Sequence, residues 1–151
     1  MPNLVFVFSD RQRFDTLSAY GNDHVKAPNL NRLSRESLVF KNTYVTQAVC
    51  APARASIMTG LYPHSAGMPR NKLVMPKTVK SIADMVSDEY TKAYFGKWHL
   101  GNEVASQRGF DEWASGMETL RDEYTEQEYL EMDTRYHHYL IENGYKPDEV
   151  S

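Results

Sequence analysis

Ala48-Val49-Cys50-Ala51-Pro52-Ala53-Arg54-Ala55-Ser56-Ile57-Met58-Thr59-Gly60 is the stretch on which the rest of the chain turns. Cys50 is the only cysteine in 151 residues, and Arg54 follows four positions later. Proline suits a first helical turn because its missing donor is not needed there. Pro52 therefore predicts a helix start, Ala53 to Met58 carry the helix on, and Gly60 stops it. Cys50 then lies just before the helix N-terminus, where free N–H groups and the helix dipole favour an anion. Arg54, one turn in, adds a permanent positive charge. The same pattern also suits a buried free cysteine at a helix cap.

Upstream, Leu4-Val5-Phe6-Val7-Phe8 is apolar without alternation. That predicts a strand buried on both faces, as in a parallel sheet under helices. It ends at Ser9-Asp10-Arg11-Gln12, so Asp10 stands at the carboxyl end of a strand, where open α/β sheets gather ligands. An aspartate there suits a hard cation, or equally a turn or helix cap. Pro28 opens a short helix carrying Leu30 and Leu33, and residues 38–40 and 43–45 read as extended. His64 follows in a loop. Downstream, Thr78 is placed to cap a helix with Val79, Ile82 and Val86 at helical spacing. Tyr90 to Phe95 reads as a second strand, running into Gly96-Lys97-Trp98-His99-Leu100-Gly101. Lys97 and His99 thus also stand at a strand's carboxyl end. Alternating strands and helices predict an α/β fold with those ends on one edge.

Residues 118–151 differ in character. They hold 3 Lys/Arg against 10 Asp/Glu, a balance of −7, whereas residues 1–117 hold 14 against 10, a balance of +4. Thr125-Glu126-Gln127-Glu128 reads as a capping box for a helix over 125–142. Its packing face would be Tyr129, Met132, Tyr136, Tyr139 and Leu140, with Asn143-Gly144 as its stop. Adjacent His137 and His138 point to different sides and cannot jointly grip one metal. Hydrophobic content of 41% and charged content of 25% fit a globular chain. No apolar run is long enough to cross a membrane, and no basic cluster with interleaved aromatics points to nucleic acid. A single cysteine and the absence of a signal-peptide pattern point to the cytoplasm, or to the periplasm or outside if a leader was removed.

Taken together, Asp10, Cys50-Ala51-Pro52-Ala53-Arg54 and Gly96-Lys97-Trp98-His99 make the chain resemble the N-terminal part of a type I sulfatase, in the alkaline phosphatase-like superfamily. The Cys-x-Pro-x-Arg signature matches through Gly60, and the Gly-Lys-x-His signature matches at Gly96 to His99. Ala27-Pro28-Asn29-Leu30 and Arg108-Gly109-Phe110-Asp111-Glu112-Trp113 belong to the same likeness. The resemblance implies an α/β/α sandwich with a mostly parallel sheet, its catalytic part over residues 1–117 and an acidic helical continuation over 118–151. It implies that Cys50 is oxidised to formylglycine by a maturation enzyme, and that one hydroxyl of the hydrated aldehyde attacks the sulfur of a sulfate ester while the alcohol departs. The second hydroxyl then loses its proton, expels sulfate and regenerates the aldehyde, which replaces a slow hydrolysis. It implies a divalent cation, usually calcium, held by Asp10 and by Cys50 as formylglycine. It further implies that Arg54 orients the diol, that Lys97 binds the sulfate, and that His99 hydrogen-bonds or transfers a proton.

Two departures qualify the likeness. Many family members carry an acidic residue or glutamine after the first aspartate, where this chain has Arg11. Arginine cannot ligate a cation, so Gln12 is the substitute candidate. The chain is also several times shorter than such enzymes. The reading is therefore an inactive N-terminal piece of a sulfatase for a sulfated small molecule or sugar, with self-association through an exposed sheet edge. Two competing readings are a formylglycine-dependent phosphonate or phosphate ester hydrolase, and a non-catalytic remnant that binds an anion or a partner.

Overall fold

Four aromatic rings organise the larger part of the chain. Tyr94 stacks on Trp113 with ring centroids 5.1 Å apart, and Trp98 meets both edge-on at 5.1 Å. Phe110 closes the cluster 5.4 Å from Tyr94. Edge-to-face and offset packing of this kind adds to the large area each ring buries. The computed structural model describes residues 2–115, 127–129 and 131–146. The chain divides into two compact units, Met1–Tyr44 and Val45–Ser151.

In the second unit, β1 (Ala93–Phe95) pairs in parallel with β2 (Glu112–Ala114), placing Tyr94 opposite Trp113. Only these central residues of the two strands are buried, so each strand turns one side chain into the core. Parallel pairing forces a crossover, and residues 96–111 supply it without a helix. The expected strand over 90–95 is present as its last three residues.

Helix α2 (Cys50–Thr59) presents Ala51, Ala55 and Met58 to the core at helical spacing. It ends as expected, with Gly60 left-handed at φ 70° and its N–H bonded to Ser56 O. Its start differs slightly from expectation: Cys50 is the first helical residue, and Pro52 stands two positions further in. A proline there still wastes no donor, because the first four N–H groups lack helical partners.

Helix α3 (Ile82–Met85) is shorter than expected and is capped by Ser81, not Thr78. The Ser81 hydroxyl accepts from Ala83 N–H while the Asp84 carboxylate accepts from Ser81 N–H, a reciprocal cap that outcompetes Thr78. Ser81 also donates to Arg108 O at 2.7 Å. The tail departs further. A 3-10 turn covers Gln127–Tyr129, and α4 spans Arg135–Glu142, with Thr134 accepting from His137 N–H. The single helix over 125–142 is therefore broken, because Thr134 caps a new start. Of its expected packing face, Leu140 is buried, whereas Met132, Tyr136 and Tyr139 are exposed. Thr125, Glu126 and the boundary at 117/118 lie outside the described residues.

In the first unit, α1 (Pro28–Arg35) forms where Pro28 predicted it. Two 3-10 turns, Phe14–Thr16 and Ser18–Tyr20, precede it. Tyr20 Oη donates to Phe40 O at 2.9 Å, and Ser18 N–H donates to the Asn31 side chain at 3.2 Å. The buried strand expected at Leu4–Phe8 is not formed: these residues belong to no strand, and Leu4 to Val7 are exposed. Residues 38–40 and 43–45 pair with no strand either. An apolar run becomes a strand only when a neighbour accepts its ladder, and among the described residues none does.

Candidate active site

The start of α2 and the loop after β1 are joined through Arg54. Its guanidinium is buried and donates to Lys97 O and, at 3.5 Å, to Tyr94 Oη. Tyr94 Oη also donates to Lys97 O. One carbonyl oxygen thus accepts from both an arginine on α2 and a tyrosine on β1. The sequence alone predicted the arginine's importance but not this use of it. Tyr94 was legible only as a strand residue. Burial is the main reason its hydroxyl is pushed up to about 12, with Glu103 adding and Arg54 opposing, so it stays protonated as a donor.

The first turn of α2 is partly occupied by the protein itself. Ala51 N–H donates to Asn71 Oδ1 at 3.0 Å, and Ala53 N–H donates to Val49 O. The N–H groups offered to an anion are fewer than the sequence implied. Cys50 is a free thiol, half-buried at the first helical position.

The loop after β1 carries Lys97, half-buried, and His99, buried with a left-handed backbone at φ 61°. That conformation costs a non-glycine residue about 1–3 kcal/mol and persists only when its surroundings hold it. Glu103 does so. It is 1% exposed, and its Oε1 accepts from His99 N–H at 2.7 Å. Ser115, just past β2, donates its hydroxyl to Oε2. Trp113 Nε1 donates to Glu103 O at 3.1 Å. Burial pushes the Glu103 carboxyl above the ordinary range, while these bonds and the charge of Arg54 pull the other way.

Elsewhere the sequence-selected residues are less organised. His64 is exposed and stacks on Tyr62 at 5.8 Å. A cleft of about 650 Å³ lies between residues 74–84 and 102–109, with Tyr129 on its wall, but holds none of Cys50, Arg54, Lys97 or His99. Its arginine, Arg108, is committed to the carbonyls of Met75, Pro76 and Val79. Those four residues lie at α2 and the loop after β1, apart from the cleft.

In the first unit, Asp10 is exposed, and Arg11 Nε stands 3.8 Å from its carboxylate. Gln12 Nε2 donates to Thr16 Oγ1 at 2.9 Å. Among the described residues no group of three or more His, Cys, Asp or Glu side chains could hold a metal ion. Calcium takes about six to eight oxygens. The donors among the described residues do not fit a complete calcium site, and a guanidinium beside Asp10 opposes a cation there.

In the second unit a cysteine at a helix start and a Lys-x-His loop at a strand end are joined through Arg54. The sulfatase family model matches residues 2–149, and this chain belongs to the sulfatase family. It is 36% identical to an ulvan-active sulfatase of Formosa agariphila over 140 residues, 87% of this chain and 27% of the relative. It is 29% identical to an N-acetylglucosamine-6-O-sulfatase of Bacteroides thetaiotaomicron over 99% of this chain and 26% of that protein. Among solved structures it is similar to BT4656 in complex with its substrate D-glucosamine-2-N,6-O-disulfate. That likeness has a TM-score of 0.62 and 27% identity over 71% of this chain and 21% of the other. The chain spans about a quarter of the length of the curated relatives it matches.

Proposed function

We propose that this chain carries the nucleophile and part of the anion pocket of a sulfuric ester hydrolase acting on a sulfated sugar. The observation that carries the reading is the junction of Arg54 with the Lys97 carbonyl, which ties the cysteine helix to the Lys-x-His loop. The names of the relatives support sulfate ester chemistry, and those of two of them point to sugars. Cys50, converted to formylglycine by a maturation enzyme, would supply the nucleophilic hydroxyl. Arg54 sets the helix start against the loop and contributes positive charge near it. Lys97 offers a point charge to the tetrahedral anion. His99 holds or moves a proton at the reacting oxygens. Asp10 would be a hard-oxygen ligand of a divalent cation, calcium by family. The described donors do not complete that site, and this chain alone is expected to bind sulfate without turning over aryl sulfates.

The test has two parts. Co-expression with a formylglycine-generating enzyme should convert Cys50, read as the mass change when SH and one H are replaced by O. Sulfate titration of the isotopically labelled chain should shift the amide resonances of Cys50, Lys97 and His99, and Arg54→Met should abolish those shifts. A chain that neither accepts the modification nor shifts any of these resonances refutes the reading. A parallel titration with methylphosphonate distinguishes a phosphonate or phosphate ester hydrolase. Arg11 beside Asp10 is the observation that favours a non-catalytic anion-binding remnant. An unmodified Cys50 in a chain that still binds sulfate would support it.

A further inference from the structure

Glu103 is a buried carboxylate that the chemistry above does not use. Its partners lie on both sides of the candidate loop. The N–H of His99 donates to its carboxyl group at 2.7 Å, and Ser115 reaches it from the end of β2. The peptide group just before, between Lys97 and Trp98, is held at its oxygen by Arg54 and Tyr94. Two consecutive peptide groups are therefore fixed, the first at its oxygen and the second at its nitrogen, and they set the directions in which Lys97 and His99 leave the backbone. The left-handed conformation of His99 at φ 61° is the part of the loop most dependent on that hold.

We propose that Glu103 is a positioning residue for the anion pocket: its carboxyl group clamps the His99 amide to Ser115 and so, with the hold of Arg54 on the Lys97 carbonyl, aims Lys97 and His99. This rests on the reading that Lys97 and His99 face the sulfate. A carboxyl group is suited to the task because its two oxygens reach two partners at once, Oε1 taking the His99 N–H and Oε2 the Ser115 hydroxyl. A glutamine keeps one such acceptor. An alanine would leave the His99 donor buried without it.

The experiment compares amide hydrogen exchange and sulfate titration in the full chain, in Glu103→Gln, in Glu103→Ala and in Ser115→Ala. In Glu103→Ala the His99 amide should lose at least about tenfold in protection. The Gly96 amide, which bonds Ala114 O, should keep its protection. Glu103→Gln should restore part of the loss, and Ser115→Ala should loosen the same amide more mildly. Sulfate affinity should fall in the same order. Uniform loss of protection at all core amides overturns the proposal, since it would make Glu103 merely structural. Unchanged protection at His99 also overturns it. If Glu103→Ala does not fold, the Gln and Ser115 variants decide by the same amide. Should sulfate shift no resonance in the unmodified chain while the local exchange pattern holds, the anion reading fails and the clamp alone stands.

Discussion

The two units of this chain treat apolar side chains in opposite ways. Among the described residues of Met1–Tyr44 none is buried, although Leu4, Val5, Phe6, Val7, Leu38 and Phe40 are all present. In Val45–Ser151, Tyr94, Trp98 and Trp113 are at most 7% exposed, and Met68, Met75 and Leu100 join them. Hydrophobicity is similar in kind, so the difference is one of partners. The second unit closes its parallel pair on rings it supplies itself, whereas the first offers a strand sequence with no neighbour to accept it. Burial energy depends on area removed from water, not on the apolar content of a segment.

The sharpest way to break this contrast is to remove a ring. Trp113→Ala should cost about 3–5 kcal/mol, because it leaves a cavity between Tyr94 and Trp98 as well as losing buried area. Urea unfolding followed by far-ultraviolet circular dichroism would show it, and a loss below about 1 kcal/mol would mean the cluster is not the core. A smaller effect, about 1 kcal/mol, is expected of Gly60→Ala. A Cβ there meets open space, so the cost is purely that of a left-handed backbone at φ 70°. The same unfolding assay measures it.

A third effect is smaller and depends on pH. Burial raises the folded-state Glu103 carboxyl above its value in the unfolded chain. The folded state then binds that proton more tightly, so stability falls as pH rises from the ordinary glutamate range through the raised value. Glu103→Gln should flatten this slope above the ordinary glutamate range. A slope identical in both proteins would show that Glu103 does not titrate in that window. Least of all should Val5→Ser matter, with a change within about 0.5 kcal/mol. A larger loss of stability would mean that Leu4–Phe8 is packed in solution, which would erase the contrast between the units. It would also remove the reason to expect self-association through that run, which sedimentation at several concentrations measures directly.

Much of this was legible in the residues themselves, and the failures share a cause. Pro28, Gly60 and the Lys-x-His loop were read correctly because each acts within a few residues of itself. Pre-set φ, left-handed tolerance and a strand end are local properties. Leu4–Phe8 was misjudged because apolarity predicts burial only where a partner strand exists. Thr78 lost to Ser81 because the decisive bond comes from Asp84, and the helix over 125–142 was divided because Thr134 found the His137 amide. Glu103 was invisible because nothing beside it in sequence announces Ser115, twelve positions away, as its partner. The family signatures nominate Cys50, Arg54, Lys97 and His99 as candidates but carry no information on Tyr94 or Asn71, which bond Lys97 O and Ala51 N–H.

The peptide group between Lys97 and Trp98 has an electrical consequence. Its oxygen accepts from a guanidinium, and the N–H of the next peptide group along the chain donates to the Glu103 carboxyl group. Bonds of this kind polarise the amides that make them. Arg54 on the cysteine helix and Glu103 behind the loop thereby act on neighbouring backbone amides. A change of charge at either side chain should register in the carbonyl stretching frequency of a single labelled bond, at Lys97.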